Sequence, residues 1–386
     1  MTTTINNEPK KLNVPNLRFP EFKGEWEESS IGEMFDMYSG NTPSRLNKEH
    51  FKGNVNWISS GELKNHYIYL SKEQISEEAA KNLKLLPVGT LVIAIYGLEA
   101  EGVRSTASII QEPSTISQAC MAFIPKGIIE NEFLYSWYKK HGNVIGVKYA
   151  QGTKQQNLSY DILEKFKISY PKNEEQEKLN RFISLLDKRI ATQNKIIEDL
   201  KKLKSAIAER VFKVIDSREV PLSEVCTIQK GKQVNGEYLS QTGRYYVMNG
   251  GIEPSGYYDK CNTPANTISI SEGGNSCGYV QYNQEAFWSS GHCYTLKNIS
   301  LDVCKQYLYH YLKSQENAIM KLRIGTGLPN IQKKDLENFK ILLPTTAKQE
   351  GISTFLTALE SKIQNEEILL SHFHKEKQYL LRQMFI

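Results

Sequence analysis

The sequence lacks the short motifs through which most enzymes declare themselves. Six cysteines are present, yet no two are spaced as CxxC, and the seven histidines form no cluster. Structural zinc sites are assembled from such pairs, so we expect no metal ligand set. There is no GxxxxGK[ST] loop, no HExxH, no GxSxG, and no GxGxxG between a strand and a helix. The glycine-rich stretch Ser271–Gly278 lacks the lysine of a phosphate cradle and is read as a loop. No spacing of carboxylates singles out a nuclease centre, so the expected catalytic set is empty. Long apolar runs are missing too: the longest, around Leu91–Leu98, is far short of the roughly 20 residues that span a bilayer. The opening MTTTINNEPKK is polar and has no secretory core. These absences predict a cytoplasmic protein without catalysis of its own.

What is present is ordinary in bulk. A hydrophobic content of 40% and a charged content of 24% suit a globular protein, and 386 residues suffice for two or three domains with proper cores. The net charge of +5 is compatible with a nucleic-acid partner without pointing to one. Cys120 and Cys293 sit in apolar stretches, where buried core thiols are expected.

The informative feature is a repeat. Leu163–Phe212 and Leu336–Phe385 align without a gap at an offset of about 173 residues. In each copy the aligned stretch predicts one long amphipathic helix. Apolar residues fall at Leu179, Ile183, Leu186, Ile190, Ile197, Leu200, Ile207 and Val211, and again at Ile352, Leu356, Leu359, Ile363, Leu370, Phe373, Leu380 and Met384. Steps of three, four or seven make this a coiled-coil seam. Gln193 and Lys204 break the first seam where Glu366 and Lys377 break the second. An antiparallel pairing that sets Lys204 against Glu366 and Gln193 against Lys377 also stacks Ile207 on Ile363. A parallel pairing, or a partner helix on another chain, is the alternative.

The repeat reaches beyond the helices. Ile31–Met34 resembles Leu222–Val225 at an offset of about 191 residues, and from Ser117 onward the offset settles near 173. Between these anchors lie short β-branched and aromatic runs bounded by Gly, Pro and Ser, which predict strands and turns. A short helix is expected near Glu132–His141 and near Cys304–Lys313, each followed by a Gly-Thr loop. The expected fold is therefore α+β: two similar globules separated by two long helices pairing as an antiparallel coiled coil. The boundaries are a disordered lead over 1–16, a first globule over 17–172, a helix over 173–215, a second globule over 216–345 and a helix over 346–386. A helix of about 35 residues is about 50 Å long, more than the roughly 34 Å of one B-DNA turn.

Polar side chains on the expected loops are the candidates for contact with base edges and phosphates. In the first globule these are Thr42, Ser44 and Arg45, then Ser59, Ser60 and Glu62, then Arg104, and finally Lys154, Gln155, Gln156 and Asn157. In the second they are Lys230, Lys232, Asn249, Asn275, Arg323, Thr326 and Asn330. Gln and Asn suit adenine, Arg and Lys suit guanine or phosphate, and Glu accepts from cytosine. Each alone reads as a solvated loop residue, and only their recurrence in both globules lifts the group.

Several segments together resemble the DNA-specificity subunit of a type I restriction–modification system. They are the LRFPEF lead-in with its EW, the SGNTPS and WISSGEL segments, the Gly-Thr loops, PKNEEQEK with its copy PTTAKQEG, and the duplicated helix. The resemblance implies that each globule is a target recognition domain for one half of a bipartite double-stranded DNA site. It implies that the helices fix the unread spacer and dock two modification (methyltransferase) subunits, which restriction (motor and nuclease) subunits join. S-adenosylmethionine, ATP and Mg²⁺ would then belong to those partners, with no cofactor on this chain. GTKQQN in the first Gly-Thr loop departs from the more family-like GTGLPN of the second. Stand-alone DNA binding, a coiled-coil scaffold for protein or sugar, and a nuclease with an unrecognised site remain as alternatives.

Overall fold

A computed structural model describes residues 12–325, 327 and 329–386. The chain divides into two compact units, Met1–Gln193 with Leu369–Ile386, and Asn194–Ile368. Each unit therefore takes part of both long helices, which sequence boundaries had set aside as segments of their own. In each, packing against the globule rather than helix continuity decides the division.

In the first unit ten strands follow the chain: β1 (Glu27–Ser30), β2 (Phe35–Ser39), β3 (Val55–Ile58), β4 (Tyr67–Ile68), β5 (Glu73–Ile75), β6 (Leu91–Ala94), β7 (Ala107–Ile110), β8 (Ser114–Ile116), β9 (Cys120–Pro125) and β10 (Lys167–Tyr170). They form a five-stranded sheet in the order β2-β9-β6-β7-β4, a three-stranded sheet β5-β3-β8, and the pair β1-β10. Helix α1 (Asn131–Tyr149) covers the larger sheet, and α2 (Asn173–Val214) begins in this unit. The helix expected near Glu132–His141 thus runs on to Tyr149. Gly142 and Gly146 allow that extension, because Ser105 and Arg104 press on the helix there and a Cβ would meet them at 2.8 Å and 3.0 Å.

The second unit repeats the plan with β11 (Arg218–Pro221), β12 (Thr227–Lys230), β13 (Tyr245–Met248), β14 (Tyr257–Tyr258), β15 (Thr267–Ser271), β16 (Val280–Asn283), β17 (Trp288–Ser289), β18 (Cys293–Lys297) and β19 (Lys340–Leu343). The sheets are β12-β18-β15-β16, β14-β13-β17 and β11-β19. Helix α3 (Lys305–Ser314) corresponds to the start of α1, and α4 (Thr346–Met384) is the second long helix. The parallel pair β3-β8 in one unit answers the parallel pair β13-β17 in the other.

The helices run antiparallel within each unit. In the first, Leu381, Met384 and Phe385 share a core with Leu179 and Ile183, and Lys377 is ion-paired with Asp187. In the second, Leu356 packs with Ala208 and Phe212, and Lys204 lies 3.1 Å from Glu360. The orientation agrees with the sequence pattern; the seam lysines pair with other acids than the ones expected, Lys204 with Glu360 and Lys377 with Asp187, while Lys201 pairs with Glu367. The ends of the helices are core residues. Phe212 is 3% exposed among Tyr307 and Tyr311, and Phe385 is 2% exposed against Phe133. Burying two phenylalanines outweighs the choice between one polar partner and another.

The start of each long helix is tied to its globule by a glutamine. Gln176 is fully buried; its amide donates to the carbonyls of Pro171 (2.9 Å) and Ile128 (3.1 Å) and accepts from the Glu130 amide. Gln349 does the same with Pro344 (2.9 Å), Asp302 (3.0 Å) and the Cys304 amide. Of the lead expected to be disordered, residues 1–11 lie outside the described ones. Residues 12–16 are ordered: Pro15 is buried and the Asn13 side chain donates to the Trp26 carbonyl at 2.8 Å.

Candidate nucleic-acid interface

Each unit presents the same rim of backbone, made where the turn before one strand meets four neighbouring loops. In the first unit Gly40 donates to Cys120, Ser117 to Ile58, Ile95 to Ala119, and Leu158 to Ile95. In the second Gly231 donates to Cys293, Ser290 to Met248, Glu272 to His292, and Ile331 to Glu272. Gly40 and Gly231 are demanded by this geometry, since a Cβ on either would sit 2.3 Å or 2.2 Å from a carbonyl of the facing turn. An indole closes each corner: Trp57 donates to the Asn41 carbonyl at 3.0 Å and Trp288 to the Lys232 carbonyl at 2.7 Å. The two tryptophans come from different strands, so this corner was reached twice by different side chains.

The sequence candidates divide sharply on this rim. In the first unit several are already committed. Arg45 makes two 2.7 Å hydrogen bonds to Glu73 and lies over the Phe51 ring at 4.1 Å. Glu62 accepts from the amide and hydroxyl of Ser59 at 2.8 Å and 2.7 Å and from the Lys72 amide, so its carboxylate caps a short turn beginning at Ser60. Arg104 donates to the carbonyls of Leu98 and Glu99. These three are held by their own loops, which sequence alone did not reveal. Thr42 is half-buried, while Ser44, Lys154 and Gln155 are exposed. The Gln156 amide donates to Glu99 at 2.8 Å, which brings the Gly-Thr loop beside Arg104. Asn157 bridges Gln151 and Tyr96 through its backbone, and its buried Oδ1 has no hydrogen-bond partner.

In the second unit the candidates converge. Asn330 bridges Ile324 and Gly273, as Asn157 does in the first. Asn249 stands where Ser59 stands and accepts from the His292 amide at 3.2 Å. Lys230 is ion-paired with Glu272. Lys232, Asn275 and Arg323 are exposed. Thr326 lies outside the described residues. The sequence reading missed Glu272 and His292, which sit at the centre of this group. The matching hydrogen bonds put Ile95 and Ala119 at these places in the first unit.

Cys120 and Cys293 are buried core thiols, as the sequence leads one to expect. Burial pushes the Cys120 thiol up to about 12 and that of Cys293 up to about 11, so both stay protonated and inert. Among the described residues no group of three or more His, Cys, Asp and Glu is placed to hold a metal ion. No described helix is long and apolar enough to cross a membrane.

Two copies of one mixed α/β scaffold, with different side chains on a shared rim, define a duplicated recognition protein. The family described as type I restriction modification DNA specificity domain matches residues 23–202 and 215–371, and the chain belongs to it. Among relatives, the type I restriction enzyme MjaIX specificity subunit of Methanocaldococcus jannaschii is 23% identical over 401 residues, covering 92% of each chain. The EcoR124I/EcoR124II specificity subunit of Escherichia coli is 31% identical over 206 residues, 52% of this chain and 50% of that one. The match spans less than half the length of two Mycoplasma relatives, 42% and 44%. A crystal structure of the type I restriction–modification S subunit from M. genitalium superposes with a TM-score of 0.65 at 18% identity, covering 97% of this chain and 99% of that one, and shows the same fold. A chain from a structure describing complex assembly and conformational transition of the type I system gives 0.57 at 17% identity, covering 93% and 97%.

Proposed function

We propose that this chain is the non-catalytic, sequence-specific DNA-binding subunit of a type I restriction–modification complex. Each unit reads one half of a bipartite duplex site through its rim. The long helices set the unread spacer and dock two modification subunits, and restriction subunits join that core. S-adenosylmethionine, ATP and Mg²⁺ are held by the partners. The observation that carries this reading is the rim itself: matching backbone hydrogen bonds frame it in both units, while the side chains placed on it differ. A scaffold for one repeated ligand would keep the side chains too. Two modest binding surfaces on one chain gain affinity through effective concentration.

Binding-site selection from a random duplex library tests the reading. Inserting about four residues, one helical turn, in α2 should change the preferred spacing between half-sites. An unchanged spacer would remove the helices from that role. Exchanging Leu17–Lys172 for the corresponding globule of a relative should alter one half-site only. Duplex binding that weakens steeply with salt separates this reading from a protein or sugar scaffold.

A further inference from the structure

We propose that Lys230, Glu272 and His292 form the base-reading element of the second half-site, with Glu272 the positioning residue and Lys230 and His292 making the contact. This inference rests on the DNA-reading role proposed above. Glu272 is 7% exposed, whereas the side chains of Lys230 and His292 are 50% and 61% exposed. One carboxylate oxygen takes Lys230 and, at 3.3 Å, the Tyr294 hydroxyl. The other lies 3.4 Å from His292 Nδ1 and makes no hydrogen bond.

The first unit shows that the fold does not require this carboxylate. Matching backbone hydrogen bonds place Ile95 where Glu272 stands, Ala119 where His292 stands, and Ser39 where Lys230 stands. Ile95 is buried to the same degree, 4% exposed. A buried carboxylate is costly compared with an aliphatic side chain of similar size, so its presence on a backbone that accepts isoleucine calls for a reason outside folding. The reason offered by the geometry is that it fixes two exposed side chains, Lys230 from a strand edge and His292 from a turn.

The same carboxylate argues for base edges over phosphates. It offsets the positive charge beside it, which weakens the cluster as a counter-charge to the DNA backbone. It leaves intact the remaining Lys230 donors and His292 Nε2, which are directional. Lysine donors match the guanine O6 and N7 acceptors in the major groove.

The test is site selection and salt-dependent binding with the full chain carrying K230Q, H292Q, E272Q or E272I. Lys230 and His292 are exposed, so their variants should fold. E272I copies the first unit, and its melting temperature should match or exceed that of the parent. We expect K230Q, E272Q and E272I each to lose about tenfold discrimination at one or two adjacent positions of one half-site. H292Q should relax the same positions. The other half-site should be unaffected, and the slope of log K against log salt should stay constant. A slope reduced by about one with unchanged base preference would make Lys230 a phosphate contact and overturn the inference. So would a collapse in the melting temperature of E272I, which would make Glu272 structural, or an unaltered selection by E272Q. If the parent chain selects no bipartite site, the proposed function itself fails, and this inference with it.

Discussion

The place where a long-helix pair meets its globule occurs twice, and the two versions carry opposite electrostatics. In the first unit Asp187 of α2 is paired with Lys377 of α4; in the second Glu360 of α4 is paired with Lys204 of α2. These are the same two positions of the repeat with the helices exchanged. A histidine sits beside each acid. His66 bridges two carboxylates, Asp187 at 3.0 Å and Glu132 at 2.8 Å, and its ring is stacked between Tyr67 and Tyr135 at 4.1 Å and 4.0 Å. His310 donates to or accepts from the Thr357 hydroxyl at 2.9 Å, and its Nδ1 is 4.0 Å from Glu360. Burial alone lowers an imidazole. At His310 burial prevails over Glu360, with Lys204 adding to it, and the ring is lowered to about 4. At His66 burial is outweighed by hydrogen bonds to Asp187 and Glu132 together with their charges, and the ring is raised. Direct hydrogen bonds to carboxylates, two at His66 and none at His310, decide the sign. Duplication thus preserved the ion pair between helices and left its third member free to diverge.

The largest expected effect tests whether the two junctions are equally essential. Phe212→Ala and Phe385→Ala should each cost about 3–5 kcal/mol, as for other buried aromatics. Hydrogen exchange read by mass spectrometry localises the damage: F385A should speed exchange in α1, and F212A in α3. Equal protection in both helices for either variant would mean that the phenylalanines do not anchor these cores. Next come the glutamine staples. Gln176→Ala or Gln349→Ala strands three backbone groups, one of them in a buried hydrogen bond, for roughly 1–3 kcal/mol. If the repeat is energetic as well as geometric, urea titration should give the two variants nearly the same loss, and a several-fold difference in their free-energy losses would break the equivalence.

Both staples were legible in principle, because Gln176 and Gln349 occupy the same place in PKNEEQEK and PTTAKQEG. The sequence showed the duplication, the long helices and their antiparallel sense, since those follow from periodicity. It did not find the acids that Lys204 and Lys377 take, because periodicity weighs every seam layer alike while Phe212 and Phe385 do not. It also missed which polar loop residues are spent locally. Arg45 with Glu73, and Glu62 with Ser59, are satisfied by partners whose proximity only the folded loops create. Glu272 and His292 escaped for the opposite reason: nothing in their neighbouring sequence marks a buried carboxylate beside an exposed cation.

Acid should separate the two junctions. The folded His310 value lies below the roughly 6.5 of an unfolded chain, so the unfolded state takes up a proton first as pH falls. Stability contributed by the neutral ring is complete above about 6.5 and is lost towards about 4. The ceiling is about 3 kcal/mol, and H310Q should flatten that slope in thermal melts. His141, held by the Ile386 carbonyl at 3.0 Å in the first unit, is also lowered to about 4, chiefly by burial. Its contribution has the same sign, so H141Q is the needed companion. A slope that survives both substitutions would place the acid sensitivity elsewhere.

His66 should give the smallest effect and the opposite sign. Its folded value is raised, so its stabilisation is fully present below about 6.5 and fades as pH rises through the folded value. Asp187 is itself held below the usual carboxylate range: burial pushes it up, but His66 and Lys377 prevail. The bridge therefore persists on the acid side until that carboxylate takes a proton. Imidazole proton resonances followed against pH should show His66 titrating above 6.5 in the parent chain and lower in D187N. A His66 resonance titrating below that value would show that burial governs this junction as it does the other, and the contrast between the two units would vanish.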